Sequence, residues 1–353
     1  MVTSIGNAKP RIAVAVAHGL GIPIDKALQA IYRAPSVLVG GMAAPLAERL
    51  CTLLAKAGLG AEIAIGEVAF EPAELFDVAL HIREPGSAYA LAEAVADFCA
   101  CDTARALTLL TTPPGVVLGT VSASTVDALR RHLPEGAADL VASNPLSARY
   151  VLIYSGDSRT VRAQLQDMLA ARGLGGQSAG DVLATDLDHA EGQHVWATFG
   201  RTGSIRIVNR DFLRFEIWLD GVTEGIGTPA TRAAALETLA GIPAASVAQL
   251  LGRTPFVLED GIGHAALEES MRRYSEAGLG VRAELTTFQS VALEVVAARD
   301  GEQLASALQR LGLGAGLRPP FVTGGMPEAR ARIVRAVLEA AGAEAYFAEA
   351  AYG

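Results

Sequence analysis

Residues 21–60 read GIPIDKALQAIYRAPSVLVGGMAAPLAERLCTLLAKAGLG, and residues 241–280 read GIPAASVAQLLGRTPFVLEDGIGHAALEESMRRYSEAGLG. At this constant offset of 220, 14 of the 40 positions are identical without a gap, which marks an internal repeat. The shared residues punctuate a fold: Gly21-Ile22-Pro23, Arg33, Pro35, Val37-Leu38, Gly41 and Ala57-Gly58-Leu59-Gly60. A helix from Lys9 to Leu20 stops at Gly19 and Gly21. Pro23 suits the first turn of a second helix, which runs to Tyr32 and ends ahead of Pro35. Ser36–Val39 reads as a short strand. Leu46, Leu50, Leu53 and Leu54 share one face of a third helix, and Ala61, Ile63 and Ile65 alternate as a half-buried strand.

The same grammar recurs along the chain. Phe76, Val78, Leu80 and Ile82 alternate with Asp77, Ala79 and His81, so they form a strand whose apolar side meets a core. Helices at 89–99 and 102–110, a strand at 116–121, a helix through Val126 and Leu129 and a strand at 138–141 complete that module. A diverged module has a strand at 150–154, a helix at 159–171 and, around Gly200-Arg-Thr-Gly203, what reads as a hairpin of 194–199 with 204–208. Strands at 213–219 and 281–285 bracket the second copy of the repeat. The last module starts on a strand at 291–295, continues through a helix at 304–311 and closes on 343–347. Its Pro319-Pro320, Gly325 and Gly342 follow Pro113-Pro114, Gly119 and Gly136 by 206 residues. The expected fold is therefore α/β (α+β): tandem modules at 1–70, 71–148, 149–211, 212–287 and 288–353. Each is a short mixed or antiparallel sheet with helices on one face, in the order strand-helix-helix-strand-helix-strand. The first module lacks an obvious first strand, since Val2–Asn7 is short and polar. Its sheet edge is expected either to take a strand from elsewhere, a second chain included, or to remain short with Met1–Ile5 pairing weakly.

That order, with Lys9, the Gly21 turn, Ala27, Ala34-Pro35, Gly41 and Ala57-Gly58, resembles the C-terminal domain of the bacterial ribosomal stalk protein and the ClpS adaptor fold. The resemblance implies protein recruitment through basic residues of the first two helices. Here these are Lys9, Arg11, Lys26 and Arg33, with Arg232 and Arg253 in the fourth module. It also admits association with the ribosome or a translation factor. The chain departs from the stalk pattern at Val14 and Ala17, and Arg232 is followed by Ala233-Ala234-Ala235. The acidic pocket of ClpS has no counterpart.

Composition limits the chemistry. A net charge of −9 argues against a nucleic-acid partner. No run reaches the ~20 apolar residues of a membrane span. Three cysteines, two of them in Cys99-Ala-Cys101, make no disulfide framework and suit a reducing, cytoplasmic setting. The richest polar cluster is Asp186, Asp188, His189, Glu191 and His194, five residue types that ligate divalent metals, within nine positions. It matches no motif of fixed ligand spacing. His18, His81, His132 and His264 lie scattered, and Gly58-Leu-Gly60 and Gly312-Leu-Gly314 follow helices as C-caps rather than preceding them as phosphate loops. The sequence thus points to a non-catalytic scaffold or adaptor without a cofactor, acting on a protein partner or by self-association. A metal-dependent enzyme using the Asp186–His194 segment is the alternative.

Overall fold

The computed structural model describes residues 1–8, 12–66, 73–174, 181–314 and 316–349. Its first module contains β1 (Val2–Ser4), α1 (Ile12–Leu20), α2 (Ile24–Tyr32), α3 (Ala44–Lys56) and β2 (Gly60–Ala61). The second follows with β3 (Leu75–Ile82), α4 (Ala88–Cys99), α5 (Thr103–Thr111), β4 (Val116–Ser122), α6 (Ala123–His132) and β5 (Ala138–Ser143). The third has β6 (Tyr150–Tyr154), α7 (Arg159–Ala171), β7 (Val182–Leu187), α8 (His189–Phe199) and β8 (Ile205–Asn209). In the fourth are β9 (Arg214–Val222), α9 (Pro229–Ala240), α10 (Ala244–Leu251), β10 (Phe256–Gly263), α11 (His264–Glu276) and β11 (Leu279–Leu285). The fifth comprises β12 (Ser290–Ala298), α12 (Gly301–Leu311), β13 (Phe321–Val322), β14 (Met326–Pro327), α13 (Glu328–Ala340) and β15 (Ala343–Glu349).

All described sheets are antiparallel, and each puts its module's first strand in the middle. The orders are β4-β3-β5, β7-β6-β8 and β10-β9-β11, while β12 lies between β15 and the pair β13 and β14. The middle strand is flanked on both sides and packed under helices. This is why Val78 and Leu80 are buried, with Phe76 and Ile82 packed against the same core. The peptide bonds before Pro35, Pro114, Pro255 and Pro320 are all cis, at the entry to the second strand of their modules.

Of the two outcomes expected for the first module's edge, the structure shows pairing by the chain's own Met1–Ile5 segment rather than a strand taken from elsewhere. Val2–Ser4 is the module's middle strand: Val2 exchanges backbone hydrogen bonds with Ser36 on one side and faces Ala61 on the other. In the fourth module Leu219 faces Phe256 and Val281, 220 residues after Ser36 and Ala61, so the two copies have the same strand order. Val2 and Leu219 are both fully buried. Three residues suffice because the flanking strands have shrunk as well. Ser36–Val39 contributes a single bridge, and the expected strand through Ile65 ends at Ala61, leaving Ile63 and Ile65 exposed. Strand addition to a missing edge therefore loses its basis. On α3 only Leu54 is buried; Leu46 and Leu53 face outward. The helix start at Lys9 lies outside the described residues.

The diverged module brings a second correction. Residues 194–199 are not half of a hairpin but the end of α8, and only 205–209 is a strand. Asp188 caps α8 by accepting a hydrogen bond from the Glu191 amide (2.8 Å), and Glu191 returns one from the Asp188 amide (2.7 Å). This capping box starts a helix whatever the strand propensity downstream. The third module thereby follows the common order with one helix, α7, where the second and fourth have two.

The chain divides into two compact units, 1–147 with 290–353, and 148–289. Within the first, modules one and two share one core, in which Ala27 and Ile31 join Leu80, Leu91 and Leu129. Within the second, the third and fourth modules keep separate cores and meet over Val151, Ile153, Val208 and Leu213, with Phe215, Leu285 and Phe288 packed against them.

Candidate functional site

The residues expected to bind metal do not converge. Asp188 and Glu191 cap α8. Asp186 pairs with Arg210 (2.9 Å) and lies 3.9 Å from Arg149. His189 hydrogen-bonds Gln193, and His194 hydrogen-bonds Arg172, both at 2.8 Å. Among the described residues no three His, Cys, Asp or Glu side chains are placed to hold a metal ion. The nine-residue cluster spreads over a strand end, a cap and two faces of a helix. Closeness in sequence did not become closeness in space.

The expected recruiting cations also divide. Arg33 is a strut between modules one and two: its Nε donates to the Thr120 carbonyl (3.2 Å) and its Nη2 to Thr120 Oγ1 (2.8 Å). Arg232 ties down its own loop by donating to the carbonyls of Thr223 (3.2 Å) and Ile226 (2.7 Å). Lys26 and Arg253 are exposed, whereas Lys9 and Arg11 lie outside the described residues.

What the structure does assemble is a groove beside α8, about 580 Å³ in volume. Tyr150 of β6 and Ile207 of β8 form its floor. His189, Gln193, Trp196 and Ala197 wall it along one side of the helix, and Gly192 stands at the centre. Gly192 is the fourth residue past the helix cap, and there the sister helices α3, α6, α11 and α13 carry Ala47, Val126, Leu267 and Ala331. Val126 and Ala331 are buried, and Leu267 packs against the core of its module. A Cβ on Gly192 would lie 3.4 Å from Ile207 Cγ2 and 3.9 Å from Tyr150 Cγ, so the helix rides close to the sheet at this point.

Aromatic rings surround that space. The His189 and Tyr150 rings are 6.1 Å apart and tilted by 54°, within the range of favourable edge-on pairs. The Trp196 indole lies against Gly200, where a Cβ would come within 2.8 Å of its ring carbons, and remains 54% exposed. The volume falls in the range of ligand pockets.

The fourth module repeats part of this arrangement. His264, first residue of α11, stacks edge-on to Phe215 at 6.0 Å, as His189 does to Tyr150. Burial and the nearby Arg210 guanidinium hold its imidazole below the ordinary range, against the opposing pull of Asp211, Asp186 and Glu268. There Leu267 stands at the helix position that Gly192 holds in α8, and packs against the core of its module.

Sequence reading missed Gly192, Trp196 and Tyr150. The available signal was Asp188-x-x-Glu191, a capping box that fixes where the helix begins and so which position Gly192 holds. Comparison with protein-family models, curated proteins and solved structures finds no match. No single helix among the described residues is long and apolar enough to cross a membrane.

Proposed function

We propose that this chain is a non-catalytic binding protein, a scaffold of small repeated modules whose third module carries the recognition groove for a protein partner. The observation that carries the reading is the groove itself: the rings of Tyr150, His189 and the exposed Trp196 line it beside Gly192, where α8 carries no side chain. Duplicated modules suit such a role, since a shared framework can be kept while one face is opened for binding. The groove has no nucleophile beside a base. Its one imidazole is engaged by Gln193, and the neighbouring carboxylates are spent on a helix cap and an Arg pair. Three free cysteines fit a reducing, cytoplasmic setting. Recruitment of the stalk-domain type finds little support, because Arg33 and Arg232 direct their guanidinium groups at the chain's own carbonyls.

The test compares capture of partners from native lysate by the intact chain with capture by Gly192→Val, which crowds Ile207 and Tyr150 at the groove, and by Trp196→Ala, which removes its exposed ring. Both variants are first shown to be folded by circular dichroism. The expected result is a protein retained by the native chain and lost by both variants. A partner retained equally by all three would place recognition elsewhere.

A further inference from the structure

The two copies of the internal repeat differ most on the outer face of one helix. Helices α3 and α11 match residue for residue, Ala44–Lys56 against His264–Glu276. On α3, Leu46, Arg49, Leu53 and Lys56 are all exposed, the leucines at 56% and 63%. Spaced i, i+3, i+7 and i+10, they form one stripe within an arc of about 80°. The same positions of α11 hold Ala266, Glu269, Arg273 and Glu276. Where α3 has two cations, its sister therefore has two carboxylates, and neither leucine is kept.

In α11 those carboxylates are satisfied within the helix, since Arg272 pairs with both Glu269 and Glu276. The equivalent of Arg272 on α3 is Thr52, whose hydroxyl donates to the Glu48 carbonyl. Arg49 and Lys56 have no ion-pair or hydrogen-bond partner among the described residues. Glu48 is the only acid on α3 and lies about 120° round the helix from the stripe. The contrast extends to the whole copy. Residues 1–66 hold six Lys and Arg, including all three lysines of the chain, against three Asp and Glu, a net of +3. Residues 221–286 hold five Arg against eight Asp and Glu, a net of −3.

Charge and spacing together select the occupant. Leu46 and Leu53 are seven residues apart, as are Arg49 and Lys56, and seven is the period at which two helices pack side by side. Unpaired cations beside apolar side chains favour a partner with carboxylates. A second copy of α3 would bring like charges together, and the carboxylates of α11 are engaged by Arg272. Two cations also fall short of the roughly four to eight that mark an anionic-lipid surface.

We infer that α3 is a docking face for an acidic amphipathic helix of a partner protein, whose aliphatic side chains cover Leu46 and Leu53 and whose carboxylates pair with Arg49 and Lys56.

Fluorescence anisotropy tests this, with labelled, capped three-heptad peptides titrated by the full chain at low salt. One peptide carries a leucine stripe flanked by Glu, the other the same stripe flanked by Lys. The Glu peptide is expected to bind at least ~10-fold tighter. Arg49→Glu with Lys56→Glu, a change that copies what α11 already carries, should reverse that order. Leu46→Ala with Leu53→Ala should weaken the Glu peptide at least ~10-fold and leave the thermal midpoint unchanged. Equal binding of the two peptides, or binding of neither, would overturn the inference. So would a lowered midpoint in the leucine variant, which would show the stripe to be covered by the chain itself. Pelleting with vesicles of equal phosphatidylcholine and phosphatidylglycerol, lost in the charge variant while the Glu peptide fails to bind, would assign the face to lipid instead. A dimer in sedimentation that the leucine variant dissociates would assign it to a second copy.

Discussion

Thr120 is held where a β-branched residue is strained, and substitution there tests how the first two modules are joined. Its φ is +51°, and counting back from the helix caps the same position holds Gly41 (φ +71°) and Gly261 (φ +67°) in the first and fourth modules. Three bonds keep it there. Its amide donates to Asp77 Oδ1 (2.9 Å), and its carbonyl and Oγ1 accept from Arg33 at 3.2 and 2.8 Å. The left-handed conformation costs a side-chain-bearing residue about 1–2 kcal/mol. Thr120→Ala keeps most of that cost and loses the Oγ1 bond, so it should destabilise by about 1–2 kcal/mol. Thr120→Gly loses the same bond but relieves the strain, offset in part by ~0.5–1 kcal/mol of added freedom in the unfolded chain. Gly should therefore exceed Ala in stability by about 0.5–1 kcal/mol, the reverse of their order on an ordinary strand. Both tryptophans lie in the other unit, Trp196 on α8 and Trp218 on β9, so fluorescence would miss the change. Urea unfolding should be followed by far-UV circular dichroism and by amide exchange of 116–122. If the alanine variant is as stable as the glycine variant, strain at this position is not part of the joint.

Further tests address the cores, the caps and the titratable groups. Leu80→Ala, at a position 1% exposed on the middle strand of the second module, should cost about 2–5 kcal/mol in a denaturant melt. Asp188→Ala removes the cap of α8 and should lower the stability of the second unit by about 1 kcal/mol, read from the midpoint of tryptophan emission. His264 is held neutral by folding, whereas the unfolded chain takes up its proton near pH 6.5. Its contribution is thus present above that pH and lost as pH falls below it, and His264→Gln should flatten that part of the stability–pH profile. Cys99, its thiol pushed up to about 12 by burial and by Cys101, should be alkylated at pH 8 roughly a thousandfold more slowly than a free cysteine, as counted by mass spectrometry of the labelled peptide.

Much of the architecture was written locally. The 220-residue repeat, the glycines that end helices and the alternation in Phe76–Ile82 report backbone conformation and burial within a few neighbouring positions, so they can be read one segment at a time. The Asp188–Glu191 pair was equally local but supported two chemistries, ligand or cap. Only the helix that follows decides, because a capping box spends both carboxylates on backbone amides. The first strand shows the converse. Val2–Ser4 is too short and polar to announce itself, and it becomes a middle strand because Ser36 and Ala61 come to lie on either side of it. The groove belongs wholly to tertiary structure. Nothing near Gly192 in sequence tells that Tyr150 and Ile207 will lie beneath it, nor that four sister helices keep a side chain at its position. An open space is defined by atoms from distant segments that fail to meet, and no single stretch of sequence records that failure.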